Sequence, residues 1–199
     1  VPRVGGADGY LRADDLNPNS NGARKILDIE PGSKLSSLIA GVRDGSIKAV
    51  IALGENLLKA GFEKADLQNL SCLISTHVLA NATAELSTVV FPAATYAEKR
   101  GSMINVTGRL QRLSRAVASP GQAHDDWEII RDLISALGGS NGIHSIENVF
   151  KIMASEISIF AGLTLSRIGE LGLPLLETTE EIPLLVRERD RKAKGVIVG

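Results

Sequence analysis

The sequence predicts a parallel α/β sheet with helices following it. Three short apolar runs rich in β-branched residues predict the strands, namely IKAVIAL (47–53), LSCLIST (70–76) and STVVFPA (87–93). Stretches with helical patterning separate the runs, and strands that alternate with helices through short links are typical of a parallel sheet. Because each run is apolar along its whole length, we expect the strands to be buried on both faces.

Residues 1–32 are predicted to form an irregular N-terminal segment, because they are rich in Gly, Asn, Asp and Pro. The segment contains neither an initiator methionine nor the apolar stretch of a signal peptide. We therefore expect the chain to be a piece of a longer polypeptide.

The parallel core is predicted to span 33–118. Its first helix lies in SKLSSLIAGVRDG, where apolar residues recur at helical spacing from Leu35 and Gly45 is a natural end. A mostly helical stretch follows around 57–68, and NATAEL is a short helix with Asn81 as its cap. After the third run, RLQRLSRAV alternates in the manner of a further strand.

A helical extension is predicted over 119–176. Asp125, with Glu128 three residues later, forms a capping-box pattern at the start of DWEIIRDLISALGG. A second helix begins near Ser145, and TLSRIGELG is a short helix capped by Thr164. The charge-dense residues 177–199 are predicted to be a tail or a linker to a further domain.

Composition excludes several functions. The net charge of −1 and the isoelectric point near 6.4 give no electrostatic basis for binding nucleic acid. No stretch approaches the roughly 18–20 apolar residues needed to span a bilayer. A single cysteine cannot hold an iron–sulfur cluster or a four-thiolate zinc ion, and no metal site is predicted. The histidines, His77, His124 and His144, lie far apart in sequence, and we expect each to be structural.

The segment FPAATYAEKRGSMINVTGRLQR (91–112) concentrates directed polar groups. Gly101 and Gly108 would let the backbone approach a flat ligand or another segment closely. The Asn105 amide offers paired donors and acceptors, and the Arg109 guanidinium is a planar fork that suits phosphate or carboxylate. These groups could line a nucleotide-like cofactor, or they could form internal ion pairs and satisfy loop backbone. The residues by themselves leave both interpretations open.

The same segment resembles the third domain of the molybdopterin oxidoreductases. That family carries an Ala-Asp-Val-Val-Leu-Pro-Ala strand, then Ala-Glu-Lys, Gly-Thr-x-x-Asn-x-Glu-Gly-Arg-x-Gln and a later Asp-Trp-x-Ile. IKAVIALGENLL resembles its strand ending in Gly-x-Asn, NPNSNGA resembles its Ala-Asn-Ser-x-Gly-Ala loop, and AGLTLSRIGELG resembles the segment before its last domain. The resemblance covers roughly residues 17–175. It implies a Rossmann or flavodoxin-like domain and six cofactor-binding positions: Gly54, Asn56, Gly101, Asn105, Gly108 and Arg109.

Within the family, the chain resembles most the C-terminal part of the large iron–sulfur subunit of NADH–quinone oxidoreductase (complex I). Thr107 and Ser102 stand where the family motif has glutamate and threonine. This branch implies a structural and assembly domain of an oxidoreductase, with no catalytic residue and no cofactor in this piece. Its iron–sulfur clusters would lie in the N-terminal part that precedes this piece.

The branch also implies partners and a location. The partners would be the rest of the same polypeptide and other subunits of the complex I peripheral arm. The location would be cytoplasmic, peripheral at the inner face of the cell membrane. The alternative is a domain of an active enzyme that binds molybdopterin guanine dinucleotide, similar to a formate dehydrogenase or a nitrate reductase.

Overall fold

The protein is described here by a computed structural model covering residues 5–6, 15–28, 30, 32–139 and 142–175. The chain forms two compact units. The first comprises Gly32–Gly101 and Leu113–Ile152. The second comprises Ser102–Arg112, the described residues before Gly32 and those after Ile152. The predicted tail 177–199 lies outside the described residues.

The regular elements follow the alternating order that the sequence predicts. Two short 3-10 helices, Ser158–Phe160 and Leu165–Ile168, supplement them. In chain order the elements are α1 (Ser20–Leu27), α2 (Leu35–Arg43), β1 (Ala49–Leu53), α3 (Lys64–Gln68), β2 (Cys72–His77), α4 (Ala82–Leu86), β3 (Val89–Pro92), β4 (Gly101–Ile104), β5 (Arg109–Leu113), α5 (Asp126–Ala136), α6 (Ile146–Glu156) and β6 (Leu173–Pro174).

The first unit is built on a parallel sheet with the strand order β1-β2-β3. Neighbouring strands are parallel, and their register pairs Ile51 with Ile74 and Thr76 with Phe91. Helix α3 connects β1 to β2, and α4 connects β2 to β3. The parallel α/β prediction is therefore confirmed.

Side-chain caps fix where two of the helices begin. The Asn81 carboxamide oxygen accepts from the backbone N–H groups of Thr83 at 2.9 Å and Ala84 at 3.2 Å, which starts α4 as predicted. At α5 the predicted capping box forms, because Asp125 and Glu128 each accept from the other's backbone N–H. These caps satisfy amides that would otherwise lack a partner at a helix start.

The core of the first unit lies between one face of the sheet and its helices. Val50 is 8% exposed and Leu73 is 1% exposed. Thr83, which is fully buried, accepts from the backbone N–H of Leu57 at 2.8 Å and thereby ties the β1–α3 connection to α4. The buried cluster comprises Val42, Val50, Ala52, Leu57, Phe62, Leu67 and Leu73.

The opposite face of the sheet is largely open among the described residues. Ile51 is 51% exposed, Leu53 is 49% exposed and Val89 is 40% exposed. Burial alternates along β1, as it does in a strand covered on one side only. The prediction that the strands are buried on both faces is therefore wrong for these residues. An apolar composition indicates that a sheet face is suited to burial. It does not show whether residues of this chain pack against that face.

The second unit contains a small sheet with the strand order β4-β5-β6. Leu110 in β5 pairs with Leu173 in β6, and the two strands are antiparallel. Helix α1 lies in the segment that the sequence predicts to be irregular. The Asn19 side chain just before it accepts from the backbone N–H of Ile104 at 2.8 Å. No helix within the described residues has the length and apolar character needed to cross a membrane.

Candidate functional site

A pocket in the first unit lies beyond the carboxyl ends of its parallel strands, where sheets of this kind take ligands. Its volume is about 440 Å³, which is within the usual range for small-molecule sites. Each of β1, β2 and β3 contributes residues at or just after its end. The lining consists of Leu53, Gly54, His77, Val78, Leu79, Asn81, Ala93, Ala94, Lys99 and Asp126.

Gly54 makes the turn that opens the pocket after β1. Its φ of +68° lies in the left-handed region that favours glycine. Its backbone N–H donates to the Thr76 carbonyl at 2.9 Å and to the Thr76 hydroxyl at 3.1 Å, which joins the ends of β1 and β2. A Cβ placed on Gly54 would meet open space, so the backbone conformation, and not crowding, requires glycine here.

Asn56, two residues on, acts within the protein. Its carboxamide oxygen accepts from the Thr83 hydroxyl at 3.3 Å and from the Lys59 backbone N–H at 3.3 Å. These bonds hold the chain after Gly54 against the start of α4. Asn56 therefore shapes the pocket's margin from outside the set of residues that line it.

His77 ends β2 and is only 7% exposed. Its Nδ1 lies 2.9 Å from the Asn81 side-chain nitrogen, whereas its Nε2 is buried without a partner among the described residues. Burial lowers the pKa of His77, and the charge of Glu55 acts in the opposite direction. The wide spacing of the histidines in the sequence predicts a structural role for His77. Its place at a strand end, four residues before a capping Asn, was the signal that could have singled it out.

One side of the pocket carries an ion pair. The Lys99 ammonium donates to the Asp126 carboxylate at the start of α5. Next to it, the buried Asp125 carboxylate accepts from the Arg115 guanidinium at 3.1 Å and from the Arg100 backbone N–H at 3.2 Å. This network positions the segment after β3 on α5 and leaves Lys99 with its charge largely compensated.

The hairpin between β4 and β5 contains three more of the predicted positions. The Asn105 carboxamide oxygen accepts from the Thr107 backbone N–H at 3.1 Å and from the Arg109 backbone N–H at 2.9 Å. Its nitrogen donates to the Gln111 side chain at 3.1 Å. Gly108 has a φ of +73°, as the turn requires. Asn105 is thus the centre of a hydrogen-bond network within the hairpin.

The Arg109 guanidinium also bonds within the second unit. Its Nη1 donates to the backbone carbonyl of Leu171 at 2.9 Å and to that of Gly172 at 3.0 Å. These carbonyls lie just before β6, so the side chain fastens β6 to β5. Gly172 allows the close approach, because a Cβ there would come within 2.4 Å of the Leu110 carbonyl oxygen.

The six predicted positions are thus divided between the two units, and Gly54, Asn56 and Gly101 lie in the first. Of the six, Gly54 lines the pocket described above, and Asn56 supports its margin. Gly101 starts β4 with open space around it. Asn105, Gly108 and Arg109 belong to the second unit. In the described part of the chain, no group of three or more His, Cys, Asp or Glu side chains could hold a metal ion.

The fold and the pocket define an α/β domain of the class that takes ligands beyond the carboxyl ends of parallel strands. The chain belongs to the molybdopterin oxidoreductase family: the family model described as "Molybdopterin oxidoreductase" matches residues 14–136. The family resemblance of the sequence is therefore confirmed.

Relatives in this family carry the names of oxidoreductases. The NADPH-Fe(3+) oxidoreductase subunit alpha of Geobacter sulfurreducens is 33% identical over 70% of this chain and 17% of its own length. The F420-dependent formate dehydrogenase 2 subunit alpha of Methanococcus maripaludis is 35% identical over 67% of this chain and 20% of its own. The assimilatory nitrate reductase catalytic subunit of Bacillus subtilis is 30% identical over 66% of this chain and 20% of its own. The chain therefore spans about a fifth of the length of these relatives.

A solved structure has the same fold. Acetylene hydratase from Pelobacter acetylenicus matches with a TM-score of 0.54 and 14% sequence identity, over 80% of this chain and 24% of that one. At this identity the likeness shows the fold alone.

Proposed function

We propose that this chain is a cofactor-binding domain of a molybdopterin oxidoreductase of the formate dehydrogenase or nitrate reductase kind. The observation that carries the proposal is the pocket beyond the carboxyl ends of β1, β2 and β3 in a chain of this family. The names of the formate dehydrogenase and nitrate reductase relatives support it. These names favour an active enzyme over the complex I branch.

The residues of the pocket fit one ring system of molybdopterin guanine dinucleotide. The volume of about 440 Å³ accommodates a bicyclic ring, and Gly54 leaves open space beside it. The buried Nε2 of His77 has no hydrogen-bond partner among the described residues, and a bound ligand could supply one. The side chains of Leu53 and Leu79 offer apolar surface to a ring face. The bound cofactor would supply the metal centre through which electrons pass.

A domain without the cofactor, in the large iron–sulfur subunit of complex I, is the second candidate. The observation that favours it is that Asn105 and Arg109 already bond to Gln111 and to backbone carbonyls within the protein. Thr107, which stands in place of the family's glutamate, joins the same network through the Asn105 side chain at 2.9 Å. The partners would then be other subunits of the peripheral arm at the inner face of the membrane. Redox work would fall to iron–sulfur clusters elsewhere in the polypeptide.

Metal and nucleotide analysis of the full-length gene product tests the proposal. We expect about one molybdenum or tungsten per polypeptide and a matching amount of guanine nucleotide after acid hydrolysis. The 199-residue chain, processed in parallel, gives the background of adventitious metal. Iron without molybdenum or tungsten, together with NADH–quinone reduction in the assembled complex, would reject the first candidate in favour of the second.

A further inference from the structure

The ring of His77 has one nitrogen with a partner and one without. His77 is more than nine-tenths buried, and its Nε2 has almost no contact with solvent and no partner among the described residues. An unpaired buried polar atom costs about 1–3 kcal/mol, so such an atom in a native structure calls for an explanation. Because His77 lines the pocket, a bound ligand is a natural source of the missing partner.

The capping bonds of Asn81 determine which nitrogen of His77 carries the proton. Both backbone amides at the start of α4 donate to the Asn81 carboxamide oxygen, so a flipped amide would set donor against donor. The Asn81 nitrogen therefore faces His77 and donates to Nδ1 at 2.9 Å. Nδ1 must then be the acceptor, and the proton of the neutral ring sits on Nε2. Burial, which lowers the pKa of His77, favours the same neutral form.

The walls of the pocket indicate what kind of acceptor Nε2–H would meet. Leu53, Val78 and Leu79 give it apolar sides suited to the faces of a flat ring. Lys99, which lines the pocket, is already paired with Asp126, and the negative charge of Glu55 acts on His77. A phosphate would therefore find the positive charge of Lys99 already neutralised and would be repelled by the negative charge of Glu55. A ring carbonyl or ring nitrogen is uncharged and would not be repelled.

We propose that His77 donates a hydrogen bond from Nε2–H to a neutral acceptor, a carbonyl oxygen or ring nitrogen, on a heteroaromatic ring held in this pocket. The inference rests on the proposed function, because it identifies the part of the cofactor that the pocket holds. It makes His77 the residue that selects the ring by its acceptor edge. Because Nε2 has almost no contact with solvent in the free protein, the proposal requires that ligand binding displace the side chains that cover it.

Nitrogen-15 NMR of the histidine rings in the 199-residue chain tests the proposal directly. Before ligand is added, we expect His77 at neutral pH to show a protonated Nε2 and an unprotonated Nδ1. Guanosine and guanosine monophosphate should both shift the Nε2–H signal, and inorganic phosphate alone should not. A protonated Nδ1, binding of guanosine that leaves His77 unchanged, or no binding of guanosine at all would each overturn the proposal. An equal shift with inorganic phosphate would also overturn it, in favour of an oxyanion site.

Variants extend the test to affinity. We expect His77→Leu to weaken guanosine binding about 10-fold or more, as the loss of one buried hydrogen bond implies. His77→Gln, which retains a side-chain N–H, should recover part of the loss. His144→Leu changes an exposed histidine outside this pocket and should bind as the unmodified chain does. Equal affinity of the His77→Leu and His144→Leu variants would contradict the proposal.

The two proposals fail separately. A full-length protein without molybdenum or tungsten would reject the proposed function, even if guanosine shifts the His77 signal. A full-length protein that contains metal and guanine nucleotide, combined with a 199-residue chain in which guanosine leaves the Nε2–H signal of His77 unaffected, would reject only the inference about His77.

Discussion

Replacing Arg109 with alanine should loosen the second unit, because the Arg109 side chain fastens β6 to β5. The change removes two charge-assisted hydrogen bonds, at 2.9 Å and 3.0 Å, to the carbonyls of Leu171 and Gly172. Arg109 is only partly buried, so solvent recovers part of the loss. We therefore expect about 1–2 kcal/mol of lost local stability, at the low end of the range for hydrogen bonds to charged groups.

Hydrogen–deuterium exchange is the assay, because it resolves the two units where a single melting curve does not. A loss of about 1–2 kcal/mol corresponds to roughly 5- to 30-fold faster exchange of amides that open with this sheet. The informative amides are those of Leu175, which donates to the Gly108 carbonyl at 3.0 Å, and of Asn105, which donates to the Arg109 carbonyl at 3.0 Å.

Arg112→Ala is the matched control, because Arg112 is exposed on the same strand. It should leave exchange nearly unchanged, as most surface substitutions do. If these amides exchange at the same rate in the Arg109→Ala and Arg112→Ala variants, the structural role assigned to Arg109 is refuted. A role in cofactor binding alone, with no effect on the free chain, would then explain the residue better.

Three further predictions concern the first unit. Val50→Asp places an unpaired charge in the buried face of β1 and should cost several kcal/mol, so a variant that melts like the parent would disprove the burial of that face. Thr83→Val leaves the Leu57 backbone N–H without its acceptor and should cost about 1–3 kcal/mol in chemical denaturation, whereas Thr83→Ser should cost less. Burial lowers the pKa of His77, so the unfolded chain binds more protons near the ordinary value of about 6.5, and stability should fall as the pH drops below that value. His77→Gln should flatten this part of the stability profile, and an unchanged slope would show that His77 does not cause it.

Sequence patterns predicted the elements whose causes are local. The β-branched run around Val50 and the Asn81 cap each depend on a few adjacent residues, and the structure confirms both. The capping box of Asp125 and Glu128 is confirmed for the same reason. Such features are stabilised by interactions between residues a few positions apart, so a short stretch of sequence is enough to predict them.

Features that depend on distant contacts were missed. Helix α1 (Ser20–Leu27) contains Gly22, and the side chain of Asn19 before it makes no capping bond but accepts from the backbone N–H of the distant Ile104. Strand β6 has two residues, and only its pairing with β5 defines it. The orphaned Nε2 of His77 follows from the fold around it. By contrast, the resemblance pointed to Asn105 and Arg109, and whether they touch a cofactor remains a prediction.

The open face of the parallel sheet has a consequence for handling the isolated chain. Ile51, Leu53 and Val89 are each about half exposed on that face, and contiguous apolar surface of this kind promotes self-association. Because association stabilises the folded state by mass action, the apparent melting temperature should rise with protein concentration. Sulfate should strengthen the effect, and a mild detergent should weaken it. Melting temperatures measured over a dilution series would thus give the free energy of self-association through the open face. The stabilities of variants should then be compared at one fixed protein concentration.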